Sequence, residues 1–135
     1  MHNNPLFFLF VSNYNLNELS NLKKNINIIY RNYDDNIDIN SIKKIKYFFK
    51  KTKRKFFLSN NFKLAFKLNL NGVYIPAFNK KINITNKSLR KNFEIIGSAH
   101  NLTEIKIKEK QGCHLIFLSP LFKIEKNKTF LGITK

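Results

Sequence analysis

The sequence predicts an α/β fold in which strands and helices alternate along a single domain. Two observations predict it: six short apolar segments occur along the 135 residues, and apolar residues recur at helical spacing between them. The apolar segments are nearly continuous in hydrophobicity, as strands buried on both faces of a parallel sheet must be. Their starts lie about twenty residues apart with one longer interval, which is the length of a strand, a helix and two short loops.

The apolar segments predict six strands. They are Leu6–Ser12, Asn25–Tyr30, Phe56–Ser59, Gly72–Ile75, Phe93–Gly97 and His114–Ser119. The first contains "LFFLFV", which is too short to span a bilayer. It also lacks the basic region and the small-residue cleavage site of a secretory signal. This segment is therefore predicted to be the first buried strand, and no membrane partner is expected.

Helical periodicity between the strands predicts five helices. They are Leu16–Lys24, Ser41–Lys53, Phe62–Asn69, Asn86–Asn92 and Leu102–Gln111. The second overlaps the strongest basic cluster, Lys43–Lys55, in which eight of 13 residues are basic. Its apolar residues Ile42, Ile45 and Phe49 recur at helical spacing, so an amphipathic helix is expected. The lysines form either a solvated helix face or a polyanion site, and charge patterning alone does not decide between them.

Two topologies fit a repeated strand-helix unit: a doubly wound open sheet and a (β/α)8 barrel of the TIM type. No G-x-G-x-x-G or Walker motif follows any predicted strand, which favours the barrel. Six of the eight units of a closed barrel are predicted, so an incomplete TIM-barrel-like repeat over residues 1–135 is expected, with the C-terminal units absent. A gene fragment, one part of a split protein and a partial barrel that closes as a homo-oligomer all stay open.

The chain is strongly basic, with 25 Lys and Arg residues against eight acidic residues and a formal net charge of +17. A field of this sign attracts phosphates, nucleic acids and anionic membranes. Lysine is common along the whole chain, however, and this spread argues against a dedicated nucleic-acid-binding module. Cys113 is the only cysteine, so a disulfide framework and a cysteine metal site are excluded and a reducing, cytoplasmic location is expected.

The stretch "IIGSAHN", Ile95 to Asn101, places three small residues directly after an apolar run. Small residues at the end of a strand are typical of ligand sites, because a missing side chain lets backbone donors approach closely. His100 would then stand at the carboxyl end of the fifth strand. The alternative is an ordinary strand end with a surface histidine.

Four stretches, in order along the chain, resemble the thiamine-phosphate synthase family, which includes a thiazole tautomerase (TenI) branch. They are "IIYRNYD" (Ile28–Asp34), Phe56–Phe78, "IIGSAHN" (Ile95–Asn101) and Leu115–Gly132. The resemblance implies a cytoplasmic TIM-barrel enzyme of thiamine biosynthesis that acts on phosphorylated small molecules. As a transferase it would join hydroxymethylpyrimidine diphosphate to thiazole phosphate and release diphosphate, with Mg2+ as cofactor.

The resemblance also implies roles for individual residues. Arg31 is retained in the second-strand motif and would bind diphosphate, since a guanidinium binds phosphate oxygens in pairs. Ser98 would line the pocket, and His100 would transfer protons, because a neutral imidazole both donates and accepts near neutral pH. Ser119, at the end of the sixth strand, would contact the substrate phosphate.

Asn60 and Asn79 correspond to the positions at which the family synthases hold Mg2+ with carboxylates, and Asn60 would also contact the diphosphate. An amide oxygen can ligate a hard cation but carries no charge, so weak Mg2+ binding is expected. The tautomerase reaction needs no metal and would rest on His100. The remaining alternatives are a non-catalytic relative that binds a phosphorylated ligand and a basic nucleic-acid-binding module that uses Lys43–Lys55.

Overall fold

A computed structural model describes residues 7–32, 37–82 and 91–118 of the chain. The strands in this part are β1 (Phe7–Val11), β2 (Ile26–Tyr30), β3 (Phe56–Ser59), β4 (Gly72–Ile75), β5 (Glu94–Ala99) and β6 (Leu115–Leu118). The helices are α1 (Leu16–Ser20), α2 (Ile39–Phe48), α3 (Phe62–Lys67) and α4 (Leu102–Lys110). All six predicted strands are confirmed, each within two residues at either end.

The strands form one parallel sheet in the order β1-β2-β3-β4-β5-β6. Every strand therefore lies beside its neighbour in the sequence, and the order never reverses. A doubly wound sheet reverses its strand order at a switch point, whereas a barrel winds in one direction. The observed order is the sequential one that a barrel requires.

The sheet is curled. The rings of Phe8 on β1 and Phe117 on β6 lie 5.0 Å apart, centroid to centroid. Neighbouring strands are about 4.8 Å apart, so a flat sheet would separate its first and sixth strands by roughly 24 Å. The six strands thus form a half-barrel with an apolar interior, compatible with part of a TIM-barrel-like fold. Buried in that interior are Ile29, Phe57, Tyr74 and Ile96.

Alternate strand residues point to the other face of the sheet, where the helices pack. Ile28, Leu58 and Val73 belong to this outer core, together with Ile42 and Ile45 of α2. All five are buried. The nearly continuous apolar strands of the sequence follow from this burial on both faces.

Each helix begins with an asparagine or aspartate whose side chain accepts a hydrogen bond from a backbone N–H three residues on. The caps are Asn15, Asp38, Asn61 and Asn101, with distances of 2.9 to 3.1 Å. Such caps stabilise a helix by about 1 kcal/mol each. The hydroxyl and the backbone N–H of Ser41 both donate to the Asp38 carboxylate and lower its pKa.

The first two helices are shorter than predicted, since α1 and α2 end four and five residues early. After α2 the chain forms turns in which the hydroxyl and the N–H of Thr52 both donate to the carbonyl of Phe49, at 2.9 and 3.0 Å. Threonine competes for backbone partners in this way, which is why it favours turns over helix interiors. The predicted helix Asn86–Asn92 lies almost entirely outside the described residues. In the described part, no helix has the length and apolar character needed to cross a membrane.

Candidate functional site

Arg31 and Ser98 are connected by two aromatic side chains inside the curled sheet. The Arg31 guanidinium carbon lies 3.8 Å from the ring centroid of Phe10, in a cation–π contact. The ring of Phe10 meets that of Tyr74 edge-on at 5.2 Å. The Tyr74 hydroxyl lies 2.6 Å from Oγ of Ser98, and each hydroxyl supplies the other with a partner. Two residues predicted from different motifs therefore belong to one interior cluster.

Side chains along a strand alternate between the two faces of the sheet, and this alternation explains the cluster. Phe10, Tyr74 and Ser98 occupy inward positions of β1, β4 and β5, towards the carboxyl ends of those strands. Arg31 directly follows β2, and its backbone N–H donates to the carbonyl of Val11 at 2.8 Å. Sequence reasoning missed Phe10 and Tyr74, although a tyrosine within the apolar run "GVYI" signals a hydroxyl in need of a buried partner.

His100 stands at the carboxyl end of β5, as predicted, and is joined to a glutamate. Its Nδ1 lies 3.0 Å from Oε1 of Glu104, and its backbone N–H donates to the same oxygen at 2.8 Å. The Lys80 amine lies 3.9 Å from the other oxygen of Glu104. Glu104 was not predicted, although N-x-x-E from Asn101 to Glu104 is a helix-capping pattern.

The electrostatics of this pair determine which ring nitrogen of His100 carries the hydrogen. The backbone N–H of His100 is the largest cause that lowers the pKa of Glu104, and the imidazole and the Lys80 amine lower it further. The ionised carboxylate only accepts hydrogen bonds, so Nδ1 carries the hydrogen in this contact. In the neutral ring Nε2 is then the acceptor, with its side chain 36% exposed. A general base needs this tautomer and this access.

Asn60 and Asn79, the predicted metal positions, are brought together by the loops after β3 and β4. Nδ2 of Asn79 donates to Oδ1 of Asn60 at 2.7 Å, and Oδ1 of Asn79 accepts from the backbone N–H of Lys81 at 3.0 Å. Asn60 adopts a left-handed φ of 65°, which asparagine tolerates better than most residues. Both amide oxygens already accept a hydrogen bond within the chain.

This arrangement does not favour a divalent cation. Mg2+ is usually held by carboxylates, and both positions here carry neutral amides. Among the described residues there is also no group of three or more His, Cys, Asp and Glu side chains suited to a metal ion. Binding of Mg2+ therefore stays a prediction of the family resemblance alone.

Two buried side chains of α4 and its C-terminus hold the loop that carries Asn79. The amine of Lys108 donates to the carbonyl of Asn79 at 2.9 Å, and Nε2 of Gln111 donates to the carbonyls of Asn79 and Lys81 at 2.8 Å each. Lys108 and Gln111 are fully buried, and burial lowers the pKa of Lys108. Sequence reasoning missed both residues, because nothing in the pattern of α4 distinguishes them from solvated polar residues.

Gly97 has a different role from the one its motif suggests. A Cβ there would lie 2.8 Å from the carbonyl oxygen of Ile75, 2.9 Å from Cδ of Lys108 and 3.0 Å from Sγ of Cys113. The missing side chain thus lets α4 pack closely on the outer face of β5, whereas the motif predicted close approach to a ligand. Burial in this contact raises the pKa of the Cys113 thiol to about 11.

His114 directly precedes β6 at the amino edge of the sheet, where its Nε2 lies 3.2 Å from Oε1 of Glu94. Ser119, predicted to contact phosphate, lies outside the described residues. A groove of about 440 Å3 opens at the carboxyl edge beside Asn60 and Asn79, and Lys80 and Lys81 line it.

The fold and the site together define an α/β protein with a sequentially wound parallel sheet and a cluster of polar residues at its carboxyl edge. The sequence matches no family profile, and no curated protein matches it.

Proposed function

We propose that the protein is a divergent member of the thiamine-phosphate synthase family that binds a phosphorylated small molecule at the carboxyl edge of the sheet. In this proposal the six strands are part of an eight-unit TIM-barrel-like repeat. Sequential strand order and curling support it, as do Arg31, Ser98 and His100 at the edge where such barrels bind substrates. A cytoplasmic location and closure of the barrel by a second copy are further expectations.

Of the activities in this family, the site favours the tautomerase type. The observation that carries this choice is the 3.0 Å contact between Nδ1 of His100 and Oε1 of Glu104. The contact orients the imidazole and makes Nε2 the proton acceptor, as a carboxylate does for other catalytic histidines. His100 is the catalytic residue of the proposed reaction, and Glu104 is a positioning residue.

The proposed reaction moves one proton within a thiazole phosphate. Nε2 of neutral His100 takes a proton from one carbon, and the electron pair of that C–H bond shifts into the ring system. The imidazolium then returns a proton to a second carbon, so the product is an isomer of the substrate and the histidine regains its first state. The Arg31 guanidinium binds the phosphate group, and its stacking on Phe10 fixes the plane of its donors.

A synthase is the second candidate, favoured by the contact between Asn60 and Asn79 at the positions of the family metal ligands. Arg31 would then hold the diphosphate and Ser98 would line the pocket. The two amides would be ligands of Mg2+, which neutralises charge on the leaving diphosphate when it is bound. A relative that binds a phosphorylated ligand without catalysis is the outcome if neither reaction occurs.

Two measurements test the proposal. The first is the thermal melting of the purified chain with and without a thiazole phosphate, because a ligand that binds only the native state raises the melting temperature. The second is solvent deuterium exchange at the carbon atoms of the thiazole phosphate, followed by NMR in the presence of a chelator. His100→Gln should abolish exchange and keep the melting shift, whereas Arg31→Gln should reduce the melting shift.

The outcomes separate the candidates. Exchange in the chelator that depends on His100 supports the tautomerase. A product formed from both phosphorylated precursors only with Mg2+ supports the synthase instead. A melting shift without either reaction supports the non-catalytic binder, and the absence of any shift contradicts a phosphate site at this edge.

A further inference from the structure

A ridge on the outer side of α2 is formed by Lys43 and Tyr47 of the helix and by Lys50, two residues after its end. These three residues line two grooves, one on each side of the helix. The first groove has a volume of about 660 Å3 and also contains Lys46 and Lys67. The second has a volume of about 920 Å3. Its other lining residues are Tyr14, Asn40, Lys44, Phe48 and Lys51.

The α2 ridge and its grooves carry several positive charges. Of the described residues that line the two grooves, none is acidic. Lys43, Lys50 and Lys51 make no ion pair within the described part of the chain. Lys46 and Arg54 bond to backbone carbonyls, which satisfy their donors but leave their charges in place. The two grooves therefore present a positively charged surface to solvent.

Tyr47 is the aromatic residue of the ridge, and its ring is largely exposed to solvent. Its side chain is 75% exposed, and the amine of Lys50 lies 5.9 Å from its ring centroid. The buried face of α2 is formed by Ile42 and Ile45, with Phe49 at its C-cap, so the core does not need this ring. An exposed ring flanked by cations is the arrangement on which unpaired bases stack while lysines contact the phosphates.

We propose that the α2 ridge and its two grooves bind single-stranded nucleic acid, with the lysines on the phosphates and a base stacked on Tyr47. A single strand fits better than a duplex, because a protruding ring needs an unpaired base. Binding to an anionic membrane is the competing outcome, because Ile39, one turn before Lys43 on α2, is 40% exposed.

The two grooves share no lining residue with the site at the carboxyl edge, and the first groove lies at the other end of the sheet. The first groove is lined by Phe56, Leu70 and Asn71, at the amino ends of β3 and β4. Arg31, Ser98 and His100 lie at the opposite ends of the strands. Loss of one function by mutation therefore leaves the other intact.

The first test is fluorescence anisotropy of the whole chain with labelled oligo-dT and oligo-U of about 15 nucleotides, a length typical of such sites. Affinity should fall steeply between about 50 and 200 mM salt, because binding releases counterions from the phosphates. The double variant Lys43→Gln/Lys50→Gln should bind about tenfold more weakly and show a smaller salt slope. Equal affinity for the two oligonucleotides means that the sugar is not read, which supports contacts to phosphates and bases alone.

The matched control is Lys106→Gln/Lys110→Gln, which removes the same charge from exposed residues of α4. This control should weaken binding less than twofold. If it weakens binding as much as the ridge variant does, the affinity comes from total charge and the proposed surface is wrong.

Substitution of Tyr47 is a second test, because it changes the exposed ring and leaves the charge of the ridge unchanged. Tyr47→Ala should reduce affinity about tenfold, whereas Tyr47→Phe should keep most of it, because stacking uses the ring and not the hydroxyl. Equal binding by Tyr47→Ala would overturn the stacking. Tyr47-dependent binding to vesicles of anionic lipid, with no binding to either oligonucleotide, would assign the surface to membranes and overturn the proposal.

Discussion

The carboxyl edge of the sheet and the α2 ridge use the same abundant residue types, but their side chains are engaged in opposite ways. At the edge, polar side chains bond to one another, as in the pairs Asn79–Asn60 and Tyr74–Ser98. On the ridge, Lys43 and Lys50 have no acidic partner among the described residues, and Tyr47 stands in solvent. The paired side chains at the edge are therefore bonded within the fold, whereas the ridge side chains are exposed to a partner outside the chain.

This difference shows how to interpret a chain of biased composition. Lysine and asparagine are common throughout, so the presence of either residue says little about function. The hydrogen-bond or ionic partner of each residue is more informative. An asparagine that caps a helix or pairs with another asparagine stabilises the fold. A lysine in a field without carboxylates contributes attraction for anions instead. Mutations of the bonded asparagines at the edge should therefore change stability, whereas mutations on the ridge should leave stability nearly unchanged and weaken nucleic-acid binding.

The largest effect is expected for Gly97→Val, which should lower the free energy of unfolding by about 1–3 kcal/mol, the usual cost of forcing extra atoms into a packed core. The added side chain would collide with the carbonyl of Ile75 and with Lys108, which holds the loop of Asn79. Urea denaturation measures the loss. Thr103→Val on the exposed surface of α4 is the control and should leave the midpoint nearly unchanged. Wild-type stability in Gly97→Val would contradict the close packing of α4 on β5.

A somewhat smaller loss of stability is expected at Asn60, where the contributions of the hydrogen bond and of the backbone conformation can be separated. Asn60→Ala loses the hydrogen bond to Asn79 and places alanine at a φ of 65°, so it should cost about 1–2 kcal/mol. Asn60→Gly loses the same bond but tolerates the backbone, and it should cost less. Thermal or urea unfolding of both variants measures the difference. Equal losses would mean that the backbone conformation contributes nothing.

The sequence predicted the strands well, because burial on both faces makes them apolar along their whole length. It did not predict the inner face of the sheet, since the contact between Phe8 and Phe117 depends on a curl that no local pattern encodes. The family resemblance implied that Asn60 and Asn79 lie together, since both correspond to ligands of one metal ion, and the two side chains are in contact. The interpretation of Gly97 was wrong, because a small residue indicates close approach without saying whether a ligand or a helix approaches.

Substitution of Glu104 should have a still smaller effect on stability, and this effect should depend on pH. Its pKa is lowered from an ordinary 4.5, chiefly by the backbone N–H of His100, so it stabilises the fold above that pH. This stabilisation is lost as the pH falls through the lowered pKa. The melting temperature of Glu104→Gln should therefore lie below wild type near neutral pH and approach it in acid. Glu109→Gln removes the same charge from the same helix and should show a smaller difference at neutral pH. A difference for Glu104→Gln that stays constant with pH would contradict the ionised contact.

The smallest effects on stability are expected on the ridge, where they test the comparison most directly. Lys43→Gln and Lys50→Gln should each leave the free energy of unfolding within about 0.5 kcal/mol of wild type, as exposed substitutions usually do. Lys46→Gln should cost more, because the Lys46 amine donates to the carbonyl of Leu68 at 2.9 Å. Urea denaturation of the three variants measures this order. If Lys43 and Lys50 proved as important for stability as Lys46, they would be part of the fold, and their lack of an acidic partner among the described residues would no longer point to an external anion.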